Sequence, residues 1–373
     1  MRVGLDLLYL VPGETGGRET YVRELVPAML ACEPALEFVA FVGRDAGPEL
    51  AAALGDRVRA VALPVCARNR VRWAIGELAL VGAAARRARL ELVHAPANFA
   101  PPWGPFRRVV TIHDLQYRAL PEMLSPLARA GTAGMLRLAA RGAHRVIVES
   151  HAAADEIVAG LGVARERIDV IPGGAGSTPA GERPEPGELR RRHGLGERAV
   201  VLCPASNLPH KNLPALVAAL ALLDPAARPV LVLCGRGTDA PALSELARAS
   251  GIADDVRGLG SVGAAELDGL YALAGCVALP TRYEGFGMPV LEAMARGVPV
   301  ACSDLPVLRE VAGPAALYFD PRSPAEIAAA IARLLGDGDL AARLRALGDA
   351  RAAGFSWAAA AQATLESYRR ALA

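Results

Sequence analysis

Short β-branched runs alternate with longer stretches of alanine, leucine and arginine along almost the whole chain, and few architectures accommodate that alternation. RVGLDLLYLV is followed by TYVRELVPAML, then by LEFVAFVG, and later by LELVHA, RVVTIHD and RVIVES. A strand that returns parallel to its predecessor needs a crossover, usually a helix, so the pattern predicts parallel sheets with helices on their faces. The alternation breaks at IPGGAGSTPAGERPEPGELRR and resumes with AVVLCPA, PVLVLCG, CVALPT and VPVACSD, with helices expected from Leu213, Pro241 and Pro289. The predicted organisation is a doubly wound first domain over 1–175, a linker over 176–195, a second doubly wound domain over 196–355 and a terminal helix over 356–373. At 373 residues the chain also exceeds the size at which single cores stop growing. In open sheets of this kind ligands bind beyond the carboxyl ends of the strands, so two such domains facing one another enclose a cleft, and function is to be read from the strand-to-helix turns.

An apolar fraction of 53% marks a chain that buries enough surface to fold. Six widely spaced cysteines, four of them inside apolar runs, read as buried free thiols, and no pair has the spacing of a zinc or redox site. The first apolar run ends at Pro12 and Gly13, too short for a signal peptide, and no run approaches the roughly 20 residues of a membrane span, so a cytoplasmic protein is expected. A net charge of +2 argues against nucleic acid as a partner. Locally, the stretch from Arg57 to Arg89 holds eight arginines against the single acid Glu77, at the ends of an apolar helix-like segment. It reads either as a core helix with solvated ends or as a surface for peripheral contact with anionic lipid, at the inner face of the membrane, or with a diphosphate-bearing acceptor.

The most informative turn is ALPTRYEGFGMPVLEAMARGVPV. A strand ends at Pro280 and a helix begins near Pro289, where proline suits a first helical turn. Gly285 and Gly287 let the loop backbone approach a ligand closely, and the free amides of the helix start favour an anion such as a diphosphate. Glu292 lies roughly 4.5 Å into the helix and Glu284 lies in the loop, so two carboxylates flank the anion site. A carboxylate accepts hydrogen bonds from vicinal hydroxyls, and a phosphate bridge with a sugar at each end is the layout of a nucleotide sugar. The turn CPASNLPHKNLPALVAAL holds Lys211, the single lysine of the chain, a compact charge suited to phosphate, where another strand passes into a helix.

EGFGMPVLE resembles the Glu, seven residues, Glu mark of the family-four retaining glycosyltransferases. The resemblance spans nearly the whole chain and is strongest from Asn207 to Asp320. It implies an α/β fold of GT-B type, two Rossmann-like domains facing an interdomain cleft, and transfer of a hexosyl group from a nucleoside diphosphate sugar to a hydroxyl acceptor with retention. It assigns Glu284 to the donor hexose and Glu292 to the ribose, with Asn207, Lys211, Gly285, Phe286, Gly287 and Met288 around the donor. Gly16 and Gly17 match the family's glycine-rich loop, with Gly17 as the point of close approach, and His113, in the HD pair that ends RVVTIHD, matches the histidine near the transferred sugar. His151, just past RVIVES, is a weaker candidate for the same cleft. No cofactor and no metal are expected. The tail from Gly354 resembles the helix that returns to the first domain, with Trp357 and Tyr368 as packing anchors. One departure stands out: the family places an arginine five or six residues before the lysine, where this chain has Ser206 and Ala205. The second phosphate contact is left to Asn207, His210 or Arg236.

Three other activities suit such a scaffold: a nucleotide-sugar-binding protein without transferase activity, a dinucleotide-dependent dehydrogenase, and an epimerase or phosphorylase. The dehydrogenase lacks its GxGxxG fingerprint here.

Overall fold

A computed structural model of the chain describes residues 1–176 and 182–373. It divides into two compact units, Met1–Gly174 together with Phe355–Ala373, and Ala175–Gly354.

The first unit contains strands β1 (Arg2–Leu7), β2 (Glu37–Val42), β3 (Val58–Ala62), β4 (Leu92–Ala95), β5 (Arg107–Thr111), β6 (Arg145–Val148) and β7 (Ile168–Val170). They pair in the order β3-β2-β1-β4-β5-β6-β7, all parallel. Residues 3–7 of β1 and 38–42 of β2 are buried on both faces, as parallel strands covered by helices must be. The helix Trp357–Leu372 packs on the helix Gly17–Cys32 of this unit. Its Tyr368 is fully buried with the hydroxyl 2.7 Å from His94 Nδ1, and its Ser367 donates to Asp169 at 2.6 Å. Leu365 is buried beside them, a contribution of roughly 2 kcal/mol in transfer alone.

The second unit contains β8 (Val200–Pro204), β9 (Val230–Cys234), β10 (Val256–Gly258), β11 (Cys276–Leu279), β12 (Val300–Ser303) and β13 (Ala316–Phe319), in the parallel order β10-β9-β8-β11-β12-β13. The order reverses between β8 and β11, whose carboxyl ends carry the two motif-bearing turns. That is the switch point where an open α/β sheet holds its ligand.

Two expectations are corrected. Residues 177–181 of the expected linker lie outside the described residues, but Pro186–His193, also within it, form a helix with Leu189 fully buried in the second unit. Proline in its first turn and Gly194 in the left-handed region just past its end are ordinary start and stop signals that the surrounding glycines and prolines obscured. Of the two readings of the stretch between the arginines, the core helix holds only in part: it is helical from Arg70 to Arg87, with a π turn at Gly76–Leu80, but it is only half buried. Val71 and Ile75 are 70% and 56% exposed, while Glu77, Val81 and Ala85 point inward.

Candidate functional site: a charged pair at the second sheet's switch point

The loop after β11 is locked from within. The buried Thr281 hydroxyl donates to the carbonyls of His210 (3.1 Å) and Tyr283 (2.8 Å), and the Arg282 amide donates to the His210 carbonyl at 2.7 Å. These bonds tie it to the loop after β8. Asn212 reinforces the tie: it takes a left-handed conformation (φ 57°), and its side-chain amide donates to the carbonyls of Pro280 and Pro321. Gly287 sits at φ 103°, where a side chain would be strained, and a Cβ there would fall 2.5 Å from Leu308. The helix Met288–Ala295 then starts with no side-chain cap. Val290 and Leu291 turn their amides back on the Gly287 carbonyl, and Pro289 has none, so Met288 keeps the first-turn amide that a ligand can take.

Into this frame the two loops deliver a charge pair. Lys211 Nζ donates to Glu284 Oε1 at 2.6 Å, with side chains 17% and 12% exposed. Glu292, one turn into the helix, accepts a hydrogen bond from the Tyr271 hydroxyl at 2.8 Å. Arg296 lies over the Tyr271 ring, 4.9 Å from its centroid, and donates to Asp268 at 2.8 Å; Arg183 donates to the same carboxylate at 2.6 Å. Burial alone would raise the pKa of Asp268, but the two guanidinium groups outweigh it and hold it below the usual range. Burial and the Glu292 charge push the Tyr271 phenol well up, so it remains a donor.

Gly285 and Met288 are half-buried at the rim of the loop, whereas the Phe286 ring is 4% exposed and anchors the loop in the core. Asn207 spans the next turn: its amide donates to the Arg236 carbonyl at 2.9 Å and its side chain to the Gly237 carbonyl at 3.1 Å. Gly235 (φ 144°) makes this fit, since a Cβ there would lie 2.6 Å from the Ala205 backbone. Arg236 is therefore set against the turn that lacks the expected arginine. Its side chain is exposed and, among the described residues, has no hydrogen bond or ion pair.

The first unit gathers a different set. Gly16 carries the backbone requirement at the start of helix Gly17–Cys32 (φ 65°), while a Cβ on Gly17 would meet nothing within 4 Å. His113, after β5, is buried with both ring nitrogens engaged: Nδ1 with Glu149 at 2.6 Å and Nε2 with the Pro96 carbonyl at 2.8 Å. The Glu149 carboxylate and the Pro96 carbonyl are both acceptors, an arrangement that favours the doubly protonated ring. Burial lowers its pKa, but the charge and hydrogen bond of Glu149 and the Pro96 carbonyl prevail and raise it. Tyr21 meets the ring edge-on at 5.0 Å. Behind it Thr111 bonds His94 at 2.9 Å, and burial, with the His113 charge, holds His94 down to about 3 and thus neutral. His151 lies exposed at the start of the next helix.

Glu149 and Tyr271 were missed in the sequence, whereas Arg236 was one of three candidates it left open. Glu149 closes RVIVES at the same sheet edge as His113 and was findable; Tyr271 lies mid-helix and gave no signal.

Two parallel sheets, with a charge pair and an uncapped helix start at the second switch point, define a two-unit α/β protein with an anion-binding edge, and comparison with known proteins makes it a glycosyltransferase of GT-B fold. The profile described as glycosyl transferases group 1 matches residues 187–350, and that of glycosyltransferase family 4 matches 15–175. The chain belongs to the family-four glycosyltransferases. It is similar to the O-antigen chain mannosyltransferase B of Escherichia coli, 31% identical over 290 residues, 74% of each protein. It also resembles the D-inositol 3-phosphate glycosyltransferase of Nocardia farcinica, 36% identical over 244 residues, 62% of this chain and 53% of that protein. Among solved structures, Anabaena HepE in complex with UDP-glucose shares the fold, with a TM-score of 0.78 and 20% identity over 99% of both chains.

Proposed function

We propose that the chain transfers a hexosyl group from a nucleoside diphosphate sugar to a hydroxyl acceptor, with retention at the anomeric carbon. The observation that carries this reading is the Lys211–Glu284 pair at the switch point of the second sheet, beside the uncapped helix start. A donor gives each member a better partner: phosphate for the ammonium, sugar hydroxyls for the carboxylate. The leaving diphosphate gathers charge as the glycosidic bond breaks, and Lys211, the Met288 amide and Arg236 answer that charge without a metal ion. Arg236 supplies the second phosphate contact that Ser206 and Ala205 do not. Glu292, steered by Tyr271, takes the ribose, and Glu284 orients the hexose. The family resemblance assigns His113 to the transferred sugar, and with both ring nitrogens already committed it would act there by charge and shape rather than by proton transfer. Gly17 leaves open space for a ligand.

The HepE complex supports a nucleotide-sugar donor, and the mannosyltransferase relative makes a nucleoside diphosphate mannose the first donor to try. The test is turnover in EDTA with an acceptor panel and NMR of the product anomer. Retention at full rate is expected, whereas inversion, or a requirement for added metal, overturns the mechanism. A dehydrogenase reading has no support in the site.

A second feature favours a lipid-linked acceptor and a cytoplasmic enzyme resting on the inner face of the membrane. Val71, Ile75 and Leu78 on the half-buried stretch, and Trp103 from the loop after β4, are 36–70% exposed, with Arg68 and Arg72 next to Val71 in the chain. The Trp103 indole donates to the Leu78 carbonyl, so these apolar groups form one patch. Among the described residues no helix is long and apolar enough to cross a membrane. Sedimentation with anionic vesicles, lost on Ile75→Asp, is the expected outcome.

A further inference from the structure

We propose that the first unit holds a second binding site, for a compact phosphate-bearing anion, at the amino edge of β5 and β6. Two adjoining cavities, of about 620 and 560 Å³, share Arg107, Arg108 and His144, and the second is also lined by Arg141, Arg167 and Arg370. The site lies at the opposite end of β5 from His113, on the order of 20 Å away at roughly 3.3 Å per residue.

The charges there are unmatched. Arg107 and Arg141 are exposed and, among the described residues, their side chains have no hydrogen bond or ion pair. Arg108 is committed only to carbonyls, those of Gly142 (2.7 Å) and Gly104 (3.2 Å). Arg167 caps the carbonyls of Ala140, Arg141 and Ala143 at the end of helix Pro126–Gly142. These bonds fix where the guanidinium groups lie and occupy the helix-end carbonyls that would repel an anion, yet leave the charge uncancelled. Arg370 alone has carboxylate partners, Asp169 at 2.9 Å and Glu366 at 3.8 Å. The acidic side chain that lines these cavities against the four remaining arginines is Glu91. His144 registers the excess: burial and then the charges of Arg108, Arg107 and Arg167 hold its pKa below the ordinary value. Its Nδ1 accepts the Arg108 amide at 3.0 Å, leaving Nε2 for a ligand. Planar guanidinium groups around a concave site are the arrangement that takes phosphate oxygens in pairs.

A phosphate monoester free in solution and a phosphate headgroup on a lipid offer the same chemistry, so the experiment has two arms. The full chain carrying Lys211→Ala, which silences the donor site, is titrated with inorganic pyrophosphate and, separately, with phosphatidic acid vesicles, with hydrogen exchange as the readout. Protection of 107–109 and 142–145 is expected, with affinity falling on the order of tenfold or more when Arg107→Ala and Arg141→Ala are combined. Neither side chain bonds to the protein, so that variant should keep its melting temperature. Protection by pyrophosphate identifies a soluble ligand; protection by vesicles alone identifies a headgroup. Absence of protection in both arms, or binding untouched by the double substitution, overturns the proposal.

Discussion

The two strand-end sites of this protein spend their charges in opposite ways. In the second unit Lys211 and Glu284 face each other at the rim, partly exposed, with an uncapped helix start beside them and, across the β9 turn, Arg236, whose side chain has no partner among the described residues. In the first unit His113 and Glu149 are sealed, their side chains 9% and 6% exposed and every ring nitrogen satisfied. The first arrangement is poised to exchange its internal partners for a ligand. The second is built to keep them, so substitutions should register as binding in one unit and as stability in the other.

The largest effect that can break this contrast is expected from Glu149→Ala. Removing one member of a buried pair leaves the other charged and unsatisfied, a cost of about 3–5 kcal/mol read from denaturant unfolding. The pH dependence carries a definite sign. The folded pKa of His113 is raised, so the pair's contribution is complete below the unfolded value of about 6.5 and is lost as pH rises through the folded value. The gap between wild type and Glu149→Ala should therefore narrow toward alkaline pH; a gap that widens would show the histidine to be neutral. Arg236→Ala should leave unfolding unchanged and weaken nucleoside diphosphate binding about tenfold, by calorimetry. Unaltered affinity would return the second phosphate contact to Asn207 or His210. Tyr271→Phe removes one hydrogen bond to Glu292, worth roughly 1 kcal/mol, so donor KM should rise about fivefold with kcat held. An equal fall in kcat instead would place Tyr271 in the chemical step. Comparable in size is Gly16→Ala, expected to cost about 1 kcal/mol because an alanine at φ 65°, ψ −139° is strained, seen as a modest fall in melting temperature.

The same contrast explains what was legible in the sequence. The second unit's site is gathered in two short turns: EGFGMPVLE and the lone lysine each sit in one, and strand order brings the two together although they lie 73 residues apart. The fold, and the two turns that bring Lys211 beside Glu284, were therefore readable from runs and spacing. The sealed cluster is assembled from Tyr21, His94, Thr111, His113, Glu149 and Tyr368, spread over the first unit, and no local pattern announces a partner so far away. Pro186–His193 was missed for a further reason, since composition averaged over a glycine- and proline-rich stretch hides a helix whose own start and stop residues are glycine and proline. Phe286 shows the limit of a motif: its position in the loop was clear, but whether its ring met ligand or core depended on packing.

The central claim is that Lys211 exchanges Glu284 for donor phosphate. Calorimetry of wild type and Lys211→Ala with a panel of nucleoside diphosphate hexoses, in EDTA, tests it most directly. The account predicts that one donor binds wild type and that its affinity falls on the order of a hundredfold in the variant, with the unfolding midpoint little changed. Equal affinity in both proteins, or binding that appears only when a divalent cation is added, would contradict it.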